Sequence, residues 1–258
     1  MADNESIGKT LLVTLVLCVV CAVVVASATV LLRPQQAANQ ALNRKENILA
    51  AAGLLQPGVS VERQFERVET RLVNLDSGEF SDALDAGSYD QRKASRDPAL
   101  SKQVPPEQDI ARIQRRARYA EVYLVKDEQG RLDKLILPVK GYGLWSTLYG
   151  FIALEGDLNT VAGIGFYEHA ETPGLGGEVD NPRWKALWSG KQVYGEGGEV
   201  ALRVIKGRVD TTRPESVYQV DGLSGATLTS RGVDNLIHFW LGEQGFGTFL
   251  ARLRSGEV

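Results

Sequence analysis

The sequence predicts an α+β fold, a mostly antiparallel sheet with flanking helices, preceded by one N-terminal transmembrane helix. Three observations carry this expectation. Residues 11–32 form an uncharged apolar run. From Tyr119 onward, short apolar stretches alternate with polar turns. Helical and strand-like stretches do not alternate regularly there, which disfavours a doubly wound parallel sheet.

The apolar run, LLVTLVLCVVCAVVVASATVLL, would span roughly 33 Å as a helix, enough to cross a bilayer's hydrocarbon core. A signal peptide is the rival reading, since ASA at 26–28 resembles a small-residue cleavage site. The run continues past it to Leu32, which favours a retained anchor. Lys9 and the amino terminus precede the span, and Arg33, Arg44 and Lys45 follow it. Counting charges therefore leaves the orientation open. Cys18 and Cys21, the two cysteines of the chain, share a helical face within the run. No third cysteine completes a tetrahedral metal site, so they read as small packing residues. A thiol-free remainder suits an oxidising compartment.

After the anchor, Leu42, Ile48, Leu49 and Ala52 recur at near-helical spacing until Gly53 and Pro57, which reads as a stalk helix. A second amphipathic stretch covers 61–75, and residues 76–110 read as a long loop or elaboration. AEVYLV and LDKLILPV flank the polar KDEQGR as a hairpin, and GFIALEG and VAGIGFY flank DLNT as another. NPRWKALWSG reads as a short helix capped by Asn181 with Pro182 in its first turn. VALRVI and ESVYQV supply further strands, and a last helix starts near Ser230. The expected division is a tail (1–10), an anchor (11–32), a stalk and elaboration (33–110) and a globular domain (111–258).

Composition narrows the function. The 258 residues are 43% hydrophobic and carry a net charge of −3, which gives a polyanion nothing to bind, so no nucleic acid is expected. The one dense basic cluster, RIQRRAR, reads as a solvated helix face. His169 and His238 are the only histidines, and neither familiar phosphate loop is present. A hydrolase using Ser224 or Thr229 with His169 lacks a triad. Two stretches remain. FYEHAETPGLGGEVDNPRW follows a strand with three glycines, reading either as a plain connection or as backbone that approaches a flat ligand. SGATLTS, residues 224–230, places four hydroxyls at the start of a helix. Thr229 or Ser230 would serve as N-cap, and a phosphate recruited to the helix start would employ the others. GYGLWSTLYGF adds either a core edge or an aromatic wall.

These motifs resemble a known family. DGLSGATLTS, from Asp221, matches the D-x-x-[ST]-G-A-[ST]-x-T pattern of proteins carrying covalent flavin mononucleotide (FMN), and HAETPGLG at 169–176 is similar to their companion motif. The family's FMN-binding domain is shared by the C subunit of the Na+-translocating NADH:quinone oxidoreductase and the G subunit of the Rnf complex. GLWSTLYG, NRKENILAAAGL and the overall length resemble the C subunit. The resemblance implies an electron-transfer flavoprotein that relays electrons and does not itself bind NADH. FMN would be a phosphoester on Thr229, within an attachment motif that includes Asp221. Ser224, Gly225, Ala226 and Thr227 would shape the attachment loop. Glu171, Thr172, Gly174, Leu175, Gly176, Leu144, Trp145 and Ser146 would lie by the ring. Implied partners are the other subunits, a flavin transferase that uses FAD, and the inner membrane, with the globular domain periplasmic. A non-redox anchored scaffold is the rival from another class.

Overall fold

The computed structural model describes residues 6–257, which divide between Arg44 and Lys45 into two compact units. The first unit is helical. Helix α1 (Ile7–Ala51) begins in it and continues without a break through Arg33 and Pro34, so the expected anchor and stalk lie on one helix. Among the described residues it is the one helix long and apolar enough to cross a membrane. Its leucines and valines between 11 and 32 are exposed, as a lipid-facing surface requires.

The second unit takes the last turns of α1, from Lys45, and everything after them. In order follow α2 (Val61–Phe65), β1 (Val68–Asn74), β2 (Glu79–Phe80), α3 (Gln91–Ala94), β3 (Ser101–Gln103), β4 (Arg115–Ala117) and β5 (Tyr119–Lys126). Then come β6 (Leu132–Tyr142), β7 (Thr147–Glu155), β8 (Val161–Glu168), α4 (Pro182–Ala186), β9 (Arg203–Val204), β10 (Gln219–Val220), α5 (Thr227–Leu241) and α6 (Gly247–Ser255). The main sheet has six strands in the order β2-β1-β5-β6-β7-β8, and every pair is antiparallel. Both expected hairpins, β5–β6 and β7–β8, are present.

Both faces of this sheet are buried. Leu135, Leu137, Ile152 and Leu154 point into a large core with Leu236, Ile237, Trp240 and Phe249. Their alternate neighbours Ile136, Phe151 and Ala153 point into a second core with Ile48, Ala51 and Tyr123. Strands covered on both sides read as continuous apolar runs, which is why LIL and FIAL carry no polar alternation.

Three local expectations change. The amphipathic stretch 61–75 is a short helix and then β1, which joins the sheet and extends it before residue 111. RIQRRAR is no solvated helix. It contains β4, and Arg116 is buried, paired with Asp76 and donating to the Gln244 carbonyl at 2.7 Å. VALRVI and ESVYQV shrink to β9 and β10, which pair in parallel with each other and not with the main sheet. Pro214 opens a 3-10 turn through Tyr218 that takes up most of the second stretch.

Candidate functional site

The site begins at the β6–β7 hairpin. Its strands pair up to Tyr142 and Thr147, leaving residues 143–146 as the turn, closed by the Gly143 N–H on the Ser146 carbonyl at 2.8 Å. The Trp145 side chain is two-thirds exposed (66%). Strand β8 ends beside this turn and delivers the HAETPGLG segment to it. Ala170 N–H donates to Ser146 Oγ at 2.7 Å. The Glu171 N–H donates to His169 Nδ1 at 3.2 Å, which assigns the ring proton to Nε2, 2.7 Å from Asp180 Oδ2.

Glu171 itself turns under the hairpin and is 5% exposed. Its carboxylate accepts from the Leu144, Trp145 and Ser146 N–H groups and from the Thr229 hydroxyl. Burial opposes ionisation here, but the Thr229 hydroxyl and the three amides outweigh it and hold the carboxyl below the usual range.

Helix α5 supplies the third side. Its apolar face (Val233, Leu236, Ile237, Trp240) lies in the large core, with Trp240 Nε1 donating to the Lys140 carbonyl at 2.7 Å. The helix starts at Thr227, earlier than expected, and Ala226 occupies the N-cap without a side-chain cap. Ser230 is therefore no cap. Its hydroxyl accepts from the Leu223 N–H at 2.9 Å and closes the loop onto the helix. Gly225 sits in that loop at φ +72°, a left-handed conformation that side chains disfavour. A Cβ placed there would stand 3.0 Å from Leu175 Cδ2, so the two glycine-containing motifs touch.

Beside the loop lies a cavity of about 240 Å³ whose lining includes Lys206, Gly207, Leu223, Thr227, Arg231 and Asp234. Thr227, Arg231 and Asp234 share one helix face by their spacing. Asp234 Oδ1 accepts the Val204 N–H at 2.7 Å and ties β9 to the helix. The site thus combines exposed apolar side chains (Trp145, Leu175 and Leu228) with an open cavity lined by two cations, Lys206 and Arg231, and one carboxylate, Asp234, that is engaged by the Val204 N–H. Such an arrangement suits a ligand with a flat apolar ring and an anionic tail.

Residues 143–242 match the family model of the FMN-binding domain. The C subunit of the Na(+)-translocating NADH-quinone reductase of Pseudomonas aeruginosa is 60% identical, with 100% of both chains covered. The chain belongs to this C-subunit family. Its counterpart in Yersinia pestis is 50% identical over 99% of this chain and 96% of its own. The crystal structure of Shewanella oneidensis NqrC superposes with a TM-score of 0.75 at 39% identity, covering 82% of this chain and 96% of that one.

As a member of the C-subunit family, the chain brings most of the expected residues together. Glu171, Leu144, Trp145, Ser146, Leu175, Gly176 and Gly225 converge around the turn and the helix start, and Ser224 and Thr227 are exposed at the loop. Thr172 and Gly174 shape the exposed bend, where the Thr172 carbonyl accepts from the Leu175 and Gly177 N–H groups. Ala226 is buried. Asp221 braces the framework: Oδ1 accepts the Val209 N–H and the carbonyl accepts Trp184 Nε1, each at 2.8 Å.

Thr229 does not suit the role expected of it. The residue is 0% exposed and its hydroxyl donates to Glu171 Oε2 at 2.7 Å. An ester there would break that bond and require the core to open. Sequence reasoning also missed Lys206 and Arg231, because isolated cations on a loop and a helix carry no motif. The i+4 spacing of Arg231 from Thr227 was the one available signal.

Proposed function

We propose that the chain is the FMN-carrying, electron-relaying C subunit of a Na+-translocating NADH-quinone reductase, with FMN esterified through its phosphate to Thr227. Membership of the C-subunit family and the FMN-binding domain support the cofactor and the complex. The observation that carries the attachment point is the contrast between two threonines. Thr227 is exposed on a cavity with Lys206 and Arg231, whereas Thr229 is sealed against Glu171.

The FMN supplies the redox chemistry when bound. Lys206 and Arg231 stabilise the charge that a phosphodiester retains at Thr227, together with the amides at the start of α5. Trp145, Leu175 and Leu228 offer apolar surface to the ring. Attachment from FAD forms the Thr227 Oγ–P bond and breaks the phosphoanhydride bond to the adenylate half. AMP leaves and the hydroxyl proton passes to the transferase's base. A tethered cofactor is not lost by dilution, whichever redox state it holds. The transferase and the neighbouring subunits are the partners. Helix α1 serves as a single inner-membrane anchor, with the globular unit periplasmic.

In-gel fluorescence tests the attachment. Full-length chain co-expressed with a flavin transferase should give a yellow-fluorescent band after denaturing electrophoresis. Thr227→Ala should give a dark band from folded protein, and Thr229→Ala should stay fluorescent. A dark Thr229→Ala beside a bright Thr227→Ala would return the ester to Thr229. A dark wild type would remove the covalent flavin altogether.

A further inference from the structure

One carboxylate joins the three segments of the site. Glu171 Oε1 accepts from the N–H groups of Trp145 at 2.9 Å and of Leu144 and Ser146 at 3.1 Å. Its Oε2 accepts from Thr229 Oγ1 at 2.7 Å and from Leu144 N–H at 3.2 Å. Among the described residues no Lys or Arg side chain pairs with it, so the amides, the Thr229 hydroxyl and the more distant Ser146 hydroxyl at 3.5 Å carry the charge. Three successive N–H groups converging on one oxygen form an anion-binding concavity, and this chain fills it with its own side chain. Space is reserved for it. A Cβ on Gly143 would fall 2.6 Å from Oε1, and one on Gly176 would fall 2.7 Å from Oε2.

We propose that Glu171 is the positioning residue of the flavin seat: its buried anion orders the 143–146 turn, locks that turn to α5 through Thr229, and sets the local charge at the flavin. The proposal rests on Thr227 as the attachment point, since it assigns the Thr229 hydroxyl to Glu171. Without the carboxylate, the turn would keep three inward N–H groups with no acceptor, each costly to leave unmade. Leu144, Trp145 and Ser146 are the expected ring contacts, so loosening the turn loosens the seat. A fixed negative charge in a poorly solvated site also disfavours adding electrons nearby, so it should hold the flavin's midpoint potential down.

Three variants separate shape from charge in the flavinylated full-length chain. Glu171→Gln keeps an oxygen facing the amides and lets the Thr229 hydroxyl reverse its role, but removes the charge. Glu171→Ala removes both, and Thr229→Val removes one donor. Hydrogen exchange of the peptide spanning 143–148 should rise about tenfold in Glu171→Ala and stay near wild type in Glu171→Gln. The spectroelectrochemical midpoint should move positive in Glu171→Gln. Unchanged exchange in Glu171→Ala overturns the ordering role. An unmoved midpoint in a well-folded Glu171→Gln overturns the charge role and leaves a structural residue only. If Glu171→Ala fails to fold, Glu171→Gln alone decides through its potential. In-gel fluorescence is read alongside: a dark Thr229→Val band would sink the Thr227 reading, while a bright band with an unmoved Glu171→Gln midpoint sinks only the present proposal.

Discussion

Lys140 sits on β6, two residues before the Tyr142 that leads into the site's turn, and its environment is unfavourable to its charge. Burial pushes its pKa down to about 8, and Arg92 and Arg96 push the same way, against Asp109 alone. Arg92 itself takes up Glu168 through two 2.7 Å bonds and stacks on the Tyr149 ring, which leaves Asp109 as the one carboxylate favouring the Lys140 charge. The folded value lies below the unfolded value of 10.5. Between about 8 and 10.5 the unfolded chain therefore binds more protons, and stability rises with pH across that window. Below about 8 both states are protonated and the full penalty is present. Lys140→Met keeps the apolar stem and should stabilise the globular unit at pH 7 by roughly 2 kcal/mol. Its advantage in urea midpoint should shrink as pH rises towards 10.5. Equal midpoints at pH 7 would show that the ammonium is solvated after all. Nothing in LPVKGY announces this, because the two arginines arrive from α3 and the residues just after it, far away in sequence.

At the scale of elements, the site depends on how closely α5 approaches the β6–β7 hairpin. A Cβ at Gly232 would stand 2.5 Å from the Tyr142 carbonyl oxygen and 2.9 Å from Gly143 Cα, both backbone atoms that cannot swing aside. Inside an isolated helix, replacing glycine by alanine stabilises by about 0.5–1 kcal/mol. Here the clash should win, so Gly232→Ala is expected to lower stability by about 1–3 kcal/mol and to pull Thr229 away from Glu171. Urea denaturation checks it, and a more stable variant would mean that the helix has slack. The hairpins were legible because polar turns separate two-faced apolar strands. The capped helix at Asn181 was legible because its signal is local: the Asn181 side chain accepts the Arg183 N–H at 2.9 Å. Where partners are remote, local pattern misled. The arginines at 112–118 looked helical and solvated, yet Arg116 is drawn inside by Asp76.

The whole molecule joins a helix apolar enough to span a bilayer to a globular unit whose cores cover both faces of one sheet. Orientation is its outstanding property, since positive charges flank the apolar run on both sides. With the globular unit periplasmic, a carboxy-terminal alkaline phosphatase fusion should be active and the corresponding green fluorescent protein fusion dark. The reverse pattern would place the unit in the cytoplasm. The sequence by itself determined the long apolar N-terminal helix, the antiparallel class, the family and the three motifs, because each of these is written in contiguous residues. Only the tertiary structure decided what the hydroxyls of SGATLTS do. Thr229 faces a carboxylate 58 residues away and is sealed, Ser230 closes the loop, and Thr227 is left open beside two cations. A one-dimensional pattern lists candidate hydroxyls equally. Burial and distance distinguish them, and both exist only once β8, the hairpin turn and α5 have met.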